Sequence, residues 1–370
     1  MNYKEILYFV ATCLTISLED KNRVVIQKLL QSDMIDWDAV VQLSTSHYVF
    51  PALYCNLKRA DFLQYLPQDL VSYMEQITDL NRERNKKIIT QARELNSLLL
   101  ANNITPIFLK GTGNLLAGIY EDEAERMVGD IDFIFSKEDY PKSIAILREF
   151  GYSDVFKTDN NYPQFKHYQR LKNDNNIAAI EIHKELLIEK YADEFNYTSI
   201  QKDAQKINTI QVMSFDNQLA LSIIAKQIND MGFHYKNISL RNAYDVFLLS
   251  KKTNTQVAFD RFINLKNPLN CFLATCFQVF NKPNSLQYNS TEETKAYLTT
   301  FNEELNDDRL RSIRHQKTER KLFIKSRLEI IYKSFFDTEK RQWLIKRITD
   351  KSWRREKLIQ FGLKKPKPNA

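Results

Sequence analysis

The chain has 370 residues, 43% of them hydrophobic and 27% charged, a balance that excludes a disordered or fibrous protein. That length exceeds what one small core organises, so two or three packed units are expected. The formal net charge of +7 is unevenly spread: residues 306–370 hold 20 Lys and Arg against 8 Asp and Glu, which leaves the rest net acidic.

No apolar run reaches the roughly 20 residues that span a bilayer, which predicts a soluble protein without a transmembrane segment. Cys13, Cys55, Cys271 and Cys276 make no CxxC pair, and scattered thiols of this kind fit a reducing cytoplasm, the expected location. The uncharged run 6–18 lacks the basic lead and small-residue cleavage site of a signal sequence. Its Leu7, Val10 and Leu14 fall at helical spacing and predict a first buried helix.

Residues 1–100 read as a helical N-terminal region. Val24, Val25, Ile26, Leu29 and Leu30, then Trp37, Val40, Val41 and Leu43, recur at intervals of three and four. A longer helix follows Pro67, with Tyr73, Ile77, Leu80, Ile88, Ala92 and Leu95 expected inward and Arg82, Arg84, Lys86 and Lys87 outward.

The period changes at Asn102-Asn103. Residues 105–109 read as a strand, followed by the turn Lys110-Gly111-Thr112-Gly113 and a short helix. Residues 130–135 read as a second strand and 137–150 as a helix. Two further strands are expected at 164–171 and 177–183, joined by the polar turn 172–176. Together they form an α/β core over residues 101–200.

From Phe215 the chain reads as helical again. A helix at 239–249 carries Arg241 and Asp245 four residues apart, a spacing that lets them pair across one turn. Residues 201–305 are expected to pack on the core as a helical region, and residues 306–370 to form a basic helical C-terminal segment.

Asp130 and Asp132 are the leading chemical candidates. Side chains two apart on a strand share a face, and Mg²⁺ takes one or two carboxylates together with substrate phosphates. A site of that kind with two metals calls for a third acid on a neighbouring strand. Glu181 fits, because an unpaired acid in the apolar run 178–183 is costly to bury, and alternation puts His183 on its face. The turn at Lys110, Gly111, Thr112 and Gly113 offers backbone N–H groups, a charge and a hydroxyl to phosphate oxygens. Arg126 can neutralise further phosphate charge, or it pairs with Glu123 or Glu125.

This combination resembles the DNA polymerase β-type nucleotidyltransferase superfamily: a strand, a glycine turn, a helix, an Asp-x-Asp strand and a third acid. More closely, Leu109-Lys110-Gly111, Arg126 ahead of Asp130-Ile131-Asp132, and Glu181-Ile182-His183 are similar to an uncharacterised bacterial nucleotidyltransferase family. Trp37, the run His47-Tyr48-Val49-Phe50-Pro51, Asn81 and the run Leu240-Arg241-Asn242-Ala243-Tyr244-Asp245 carry the same likeness. Two departures stand out: Lys110-Gly111-Thr112 replaces the superfamily's usual Gly-Ser turn, and the third acid is Glu181 where Asp is commoner.

The resemblance implies an α+β fold, with a small mixed β-sheet nucleotidyltransferase core flanked by helical N-terminal and C-terminal regions. It implies Mg²⁺-dependent transfer of a nucleoside monophosphate from a nucleoside triphosphate to an acceptor, with release of pyrophosphate. Asp130 and Asp132 would hold two Mg²⁺ ions and Glu181 the ion that activates the nucleophile, while Lys110, Gly111, Thr112, Gly113 and Arg126 cradle the β- and γ-phosphates. The acceptor is a small molecule, RNA or a protein. A second expectation is an inactive protein on the same scaffold that binds nucleotide or nucleic acid in a regulatory role. The basic C-terminal segment, with Trp343 and Trp353 among its Lys and Arg, offers weak contact to nucleic acid or a membrane surface.

Overall fold

The computed structural model describes residues 1–32, 34–155 and 165–360. It divides into two units: Met1–Val155 with Lys166–Arg311, and a second from Ser312 onward. The last ten residues of the expected basic helical segment 306–370 lie outside the described residues, as does 164, the start of the expected strand 164–171.

A mixed sheet forms the centre of the first unit. Its strands are β1 (Ile107–Phe108), β2 (Asp130–Ile134), β3 (Ser153–Asp154), β4 (Leu171–Lys172), β5 (Ala179–His183), β6 (Gln205–Ile207) and β7 (Ile210–Val212). They run in the order β3-β4-β5-β2-β1-β7-β6. The central pair, β2 and β5, is parallel, and β1 pairs antiparallel with β2 and parallel with β7. With helices flanking this sheet on both sides in sequence, the fold is α+β.

Two sequence expectations change here. The strand expected at 164–171 shrinks to Leu171–Lys172, preceded by a lone bridge between His167 and His183. The region expected to be helical from 201 opens instead with the β6–β7 hairpin. Its turn residue Asn208 has φ 55°, a left-handed conformation that Asn tolerates and that two-residue hairpin loops require. Three residues on each side are too few to register as an alternating pattern.

The helix Gln68–Ala101, 34 residues long, spans about 50 Å at 1.5 Å per residue and ties the strands together from behind. Tyr73 and Leu80, expected inward, are exposed, while Asn81, Asn85 and Gln91 are buried. The amides are inward because backbone must be satisfied there. Asn81 donates to the Ala124 carbonyl at 2.7 Å and Asn85 to the Arg126 carbonyl at 2.7 Å, which fixes the loop leading into β2. Gln91 pairs with the Ala178 backbone in both directions, at 2.9 and 3.0 Å, immediately before β5. One helix thereby sets the position of both strands that carry the acids.

The first helix, Tyr3–Cys13, is buried over most of its length, as its periodicity predicts. All four cysteines are free and buried. The second unit contains most of the helix Asp308–Phe336, followed by the helices Thr338–Thr349 and Lys351–Gln360. Leu328, Phe335 and Phe336 are exposed on it. No helix among the described residues is long and apolar enough to cross a membrane.

Candidate active site

Strand β2 alternates Asp130, Asp132 and Ile134 with Ile131 and Phe133, and the latter two are fully buried in the core. Strand β5 does the same, with Ile180 and Ile182 buried on the core side and Glu181 and His183 on the other. Parallel pairing then sets Asp132 opposite Glu181 and Ile134 opposite His183. Core burial on one face leaves the register no freedom, since a one-residue slip would invert both strands. The acids share a face because the apolar residues own the other.

Three cationic or imidazole groups converge on these acids. Lys110 Nζ lies 2.6 Å from Asp132 Oδ1 and 3.4 Å from Glu181 Oε2. His183 Nε2 lies 2.9 Å from the same Asp132 oxygen and 3.6 Å from Glu181 Oε2. Arg170 pairs with Asp130 and reaches Glu181 Oε1 at 3.8 Å. The His183 hydrogen bond and then the Lys110 charge hold the Glu181 carboxyl well below the usual carboxylate range, against burial that would raise it. Burial works against the Lys110 charge, but Asp132 and Glu181 outweigh it and raise its pKa above the ordinary value.

Arg170 is a site residue that sequence reading did not single out. One Arg in a polar stretch carries no local signal; only the placement of β4 beside β5 brings it to Asp130.

The glycine turn is closed against the sheet. Lys110, at φ 51°, bends the chain out of β1 into the helix Lys110–Leu116. A Cβ on Gly113 would lie 2.7 Å from the Phe108 carbonyl oxygen, so only glycine permits this approach of helix to strand. Thr112 is fully buried and donates its hydroxyl to the Asp130 carbonyl at 2.9 Å, and a Cβ on Gly111 would press on Val128 at 3.1 Å. These residues hold the end of β1 and the start of β2 in place.

Arg126 is buried as well. Its Nε donates to both Asp245 oxygens, at 3.0 and 3.1 Å, and Tyr120 donates to Asp245 at 2.7 Å. The expected Arg241–Asp245 pair is therefore replaced by a long-range one; Arg241 instead lies over the Tyr48 ring at 4.9 Å. Glu125, beside Arg126, accepts from Arg59 at 2.6 Å and from Tyr244 at 2.5 Å. Two buried charged networks thus clamp the loop before β2 to the helix Leu240–Ser250.

The residues present suit a divalent cation. Ligand atoms of Asp132, Glu181 and His183 lie within 4.8 Å of one another, and the Lys110 ammonium between the two carboxylates shows that the space takes positive charge. The buried Nδ1 of His183 has no hydrogen-bond partner among the described residues, so it is available to hold the ring proton when Nε2 is a ligand. Two carboxylates suit Mg²⁺, and the imidazole nitrogen broadens the choice toward transition metals. Asp130 lies outside this group, paired with Arg170.

Fold and site together define a nucleotidyltransferase-type α+β core, with acids on adjoining parallel strands. The chain belongs to the family described as uncharacterised nucleotidyltransferase, whose sequence pattern matches residues 33–280. No curated protein matches it. Among solved structures, the chain is similar to JHP933 from Helicobacter pylori at 11% identity and TM-score 0.29, over 66% of this chain and 98% of that one. A second H. pylori protein, provisionally described as a nucleotidyltransferase, shows 14% identity and TM-score 0.29 over 65% and 96% of the two chains.

Proposed function

We propose that this protein is a Mg²⁺-dependent nucleotidyltransferase that moves a nucleoside monophosphate from a nucleoside triphosphate to an acceptor and releases pyrophosphate. The observation that carries the reading is the pairing of Asp132 with Glu181 across β2 and β5, with His183 beside them. An acceptor oxygen bonds to the α-phosphorus as the bond to the β-phosphate oxygen breaks, and the acceptor's proton passes to solvent. Bound divalent metal would supply charge neutralisation at the α-phosphate and the leaving pyrophosphate.

Asp132 and Glu181 are the anchoring carboxylates, and His183 completes their set. A carboxyl held as low as Glu181 stays ionised, which suits a ligand better than a base. With a cation held by the two acids, Lys110, which now lies between them, would be free to face the incoming phosphates. Asp130 would help hold a second ion, and Arg170, its present partner, would then be available to phosphate. Catalysis in this reading rests on positioning and charge neutralisation, with no covalent intermediate.

One observation favours a second reading, an inactive scaffold that binds nucleotide: Lys110 and Arg170 already neutralise much of the acid cluster. Magnesium titration against a panel of nucleoside triphosphates, followed by pyrophosphate release, separates the two. Metal-dependent release supports transfer; nucleotide binding without release across many acceptors supports the scaffold.

A further inference from the structure

Three partly buried cations, Lys166, Lys226 and Arg241, form no ion pair within 4.0 Å among the described residues. Lys226 belongs to the π-helical turn Ala225–Asn229, a geometry that recurs at functional sites. After it Met231, at φ 57°, turns the chain into the short helix Gly232–Tyr235. A Cβ on Gly232 would lie 2.6 Å from the Lys226 carbonyl oxygen and 3.1 Å from Lys226 Cε. Glycine at 232 is what lets the lysine stem cross at this point.

Arg241 lies over the Tyr48 ring at 4.9 Å, and its buried Nε has no hydrogen-bond partner among the described residues. Lys166 is held beside the end of β5, its carbonyl accepting from the backbone of Lys184 at 2.7 Å and Glu185 at 2.8 Å.

The carboxylate that all three share electrostatically is that of the exposed Asp230; Arg241 also senses Asp245, which Arg126 already engages, and Lys166 senses Asp132 and Glu181, which Lys110 already engages. None of them comes within 4.0 Å of it or of any other carboxylate among the described residues. Lys166 also feels Lys110, Glu181 and Asp132, so it adjoins the acid cluster, and it shares Asp230 with the other two cations. Burial lowers the pKa of each, reinforced by Lys110 at Lys166 and by Arg126 at Arg241. Half-buried charge of one sign without a direct ion-pair partner is unfavourable unless a ligand brings the other sign. The cations expected from the sequence to meet phosphate are engaged elsewhere, Arg126 with Asp245 and Lys110 with Asp132.

We propose that Lys166, Lys226 and Arg241 form the subsite for the β- and γ-phosphates of a nucleoside triphosphate whose α-phosphate meets the acid cluster. This rests on the nucleotidyltransferase reading for its orientation but not for its chemistry, which is recognition of a polyphosphate. Lys166, which feels both the acid cluster and Asp230, links the two regions.

The test is calorimetric titration of inorganic tripolyphosphate into the full chain in the presence of EDTA. Wild type is expected to bind, and Lys166→Met, Lys226→Met and Arg241→Gln each to weaken binding at least tenfold, while Arg241→Lys retains most of it. Thermal melts establish that each variant is folded. Asp132→Asn is expected to bind at least as tightly, because it removes negative charge nearby. Displacement by nucleoside triphosphates, and not by a sugar monophosphate, supports the nucleotide tail as the occupant; the reverse order overturns it. No binding by wild type, or equal affinity in the folded variants, also overturns the subsite. If pyrophosphate is never released yet these variants lose tripolyphosphate, the transfer reading fails and the subsite stands.

Discussion

Asp132 and Glu181 are register partners on parallel strands, and one ammonium, that of Lys110, lies 2.6 Å from the first and 3.4 Å from the second. Two like charges held opposite one another by core packing repel unless a cation sits between them. Lysine and metal compete for that position, and the competition is measurable.

Lys110→Met should lower stability without metal by about 2 kcal/mol, a value reduced from that of a fully buried pair because Lys110 is partly exposed. The same change should tighten Mn²⁺ or Mg²⁺ binding, since the ammonium no longer has to be displaced. Urea denaturation with and without metal reads both effects. A variant that binds metal more weakly than wild type would refute the competition.

Asp245→Asn should destabilise the protein by about 3–5 kcal/mol, because it strands the buried Arg126 guanidinium beside a neutral amide. Pairing it with Arg126→Met in a double-mutant cycle should recover much of that loss. Additive losses in the cycle would show that the two side chains are not coupled.

His47 links pH to stability. Burial, and then the Lys226 charge, lower its pKa from 6.5 to about 4, while its Nδ1 accepts from the Leu240 backbone at 3.1 Å. The folded state thus keeps His47 neutral where the unfolded chain protonates it, so stability falls as pH drops through the window from 6.5 to about 4 and levels below it. His47→Asn should flatten that part of the pH profile in thermal melts. A profile of the same slope as wild type would place the titration elsewhere.

The acid face was legible because alternation is local: Asp130, Asp132, Glu181 and His183 follow from period two within two short apolar runs. Arg170 was not, since its role depends on β4 settling beside β5. Asn81, Asn85 and Gln91 turn inward to satisfy loop and strand carbonyls, a role that apolar periodicity does not reveal. Tyr73 and Leu80 show the converse, apolar residues at helical spacing that stay exposed. Asp245 had a partner four residues away in sequence, and the folded chain supplied a better one in Arg126 from a distant loop.

The most direct test follows label from an α-labelled nucleoside triphosphate in the presence of Mg²⁺ and cell extract, together with pyrophosphate release. The account predicts label on an acceptor and pyrophosphate in equal amounts for wild type, with both lost in folded Asp132→Asn and Glu181→Gln. Undiminished transfer in those two variants would contradict it.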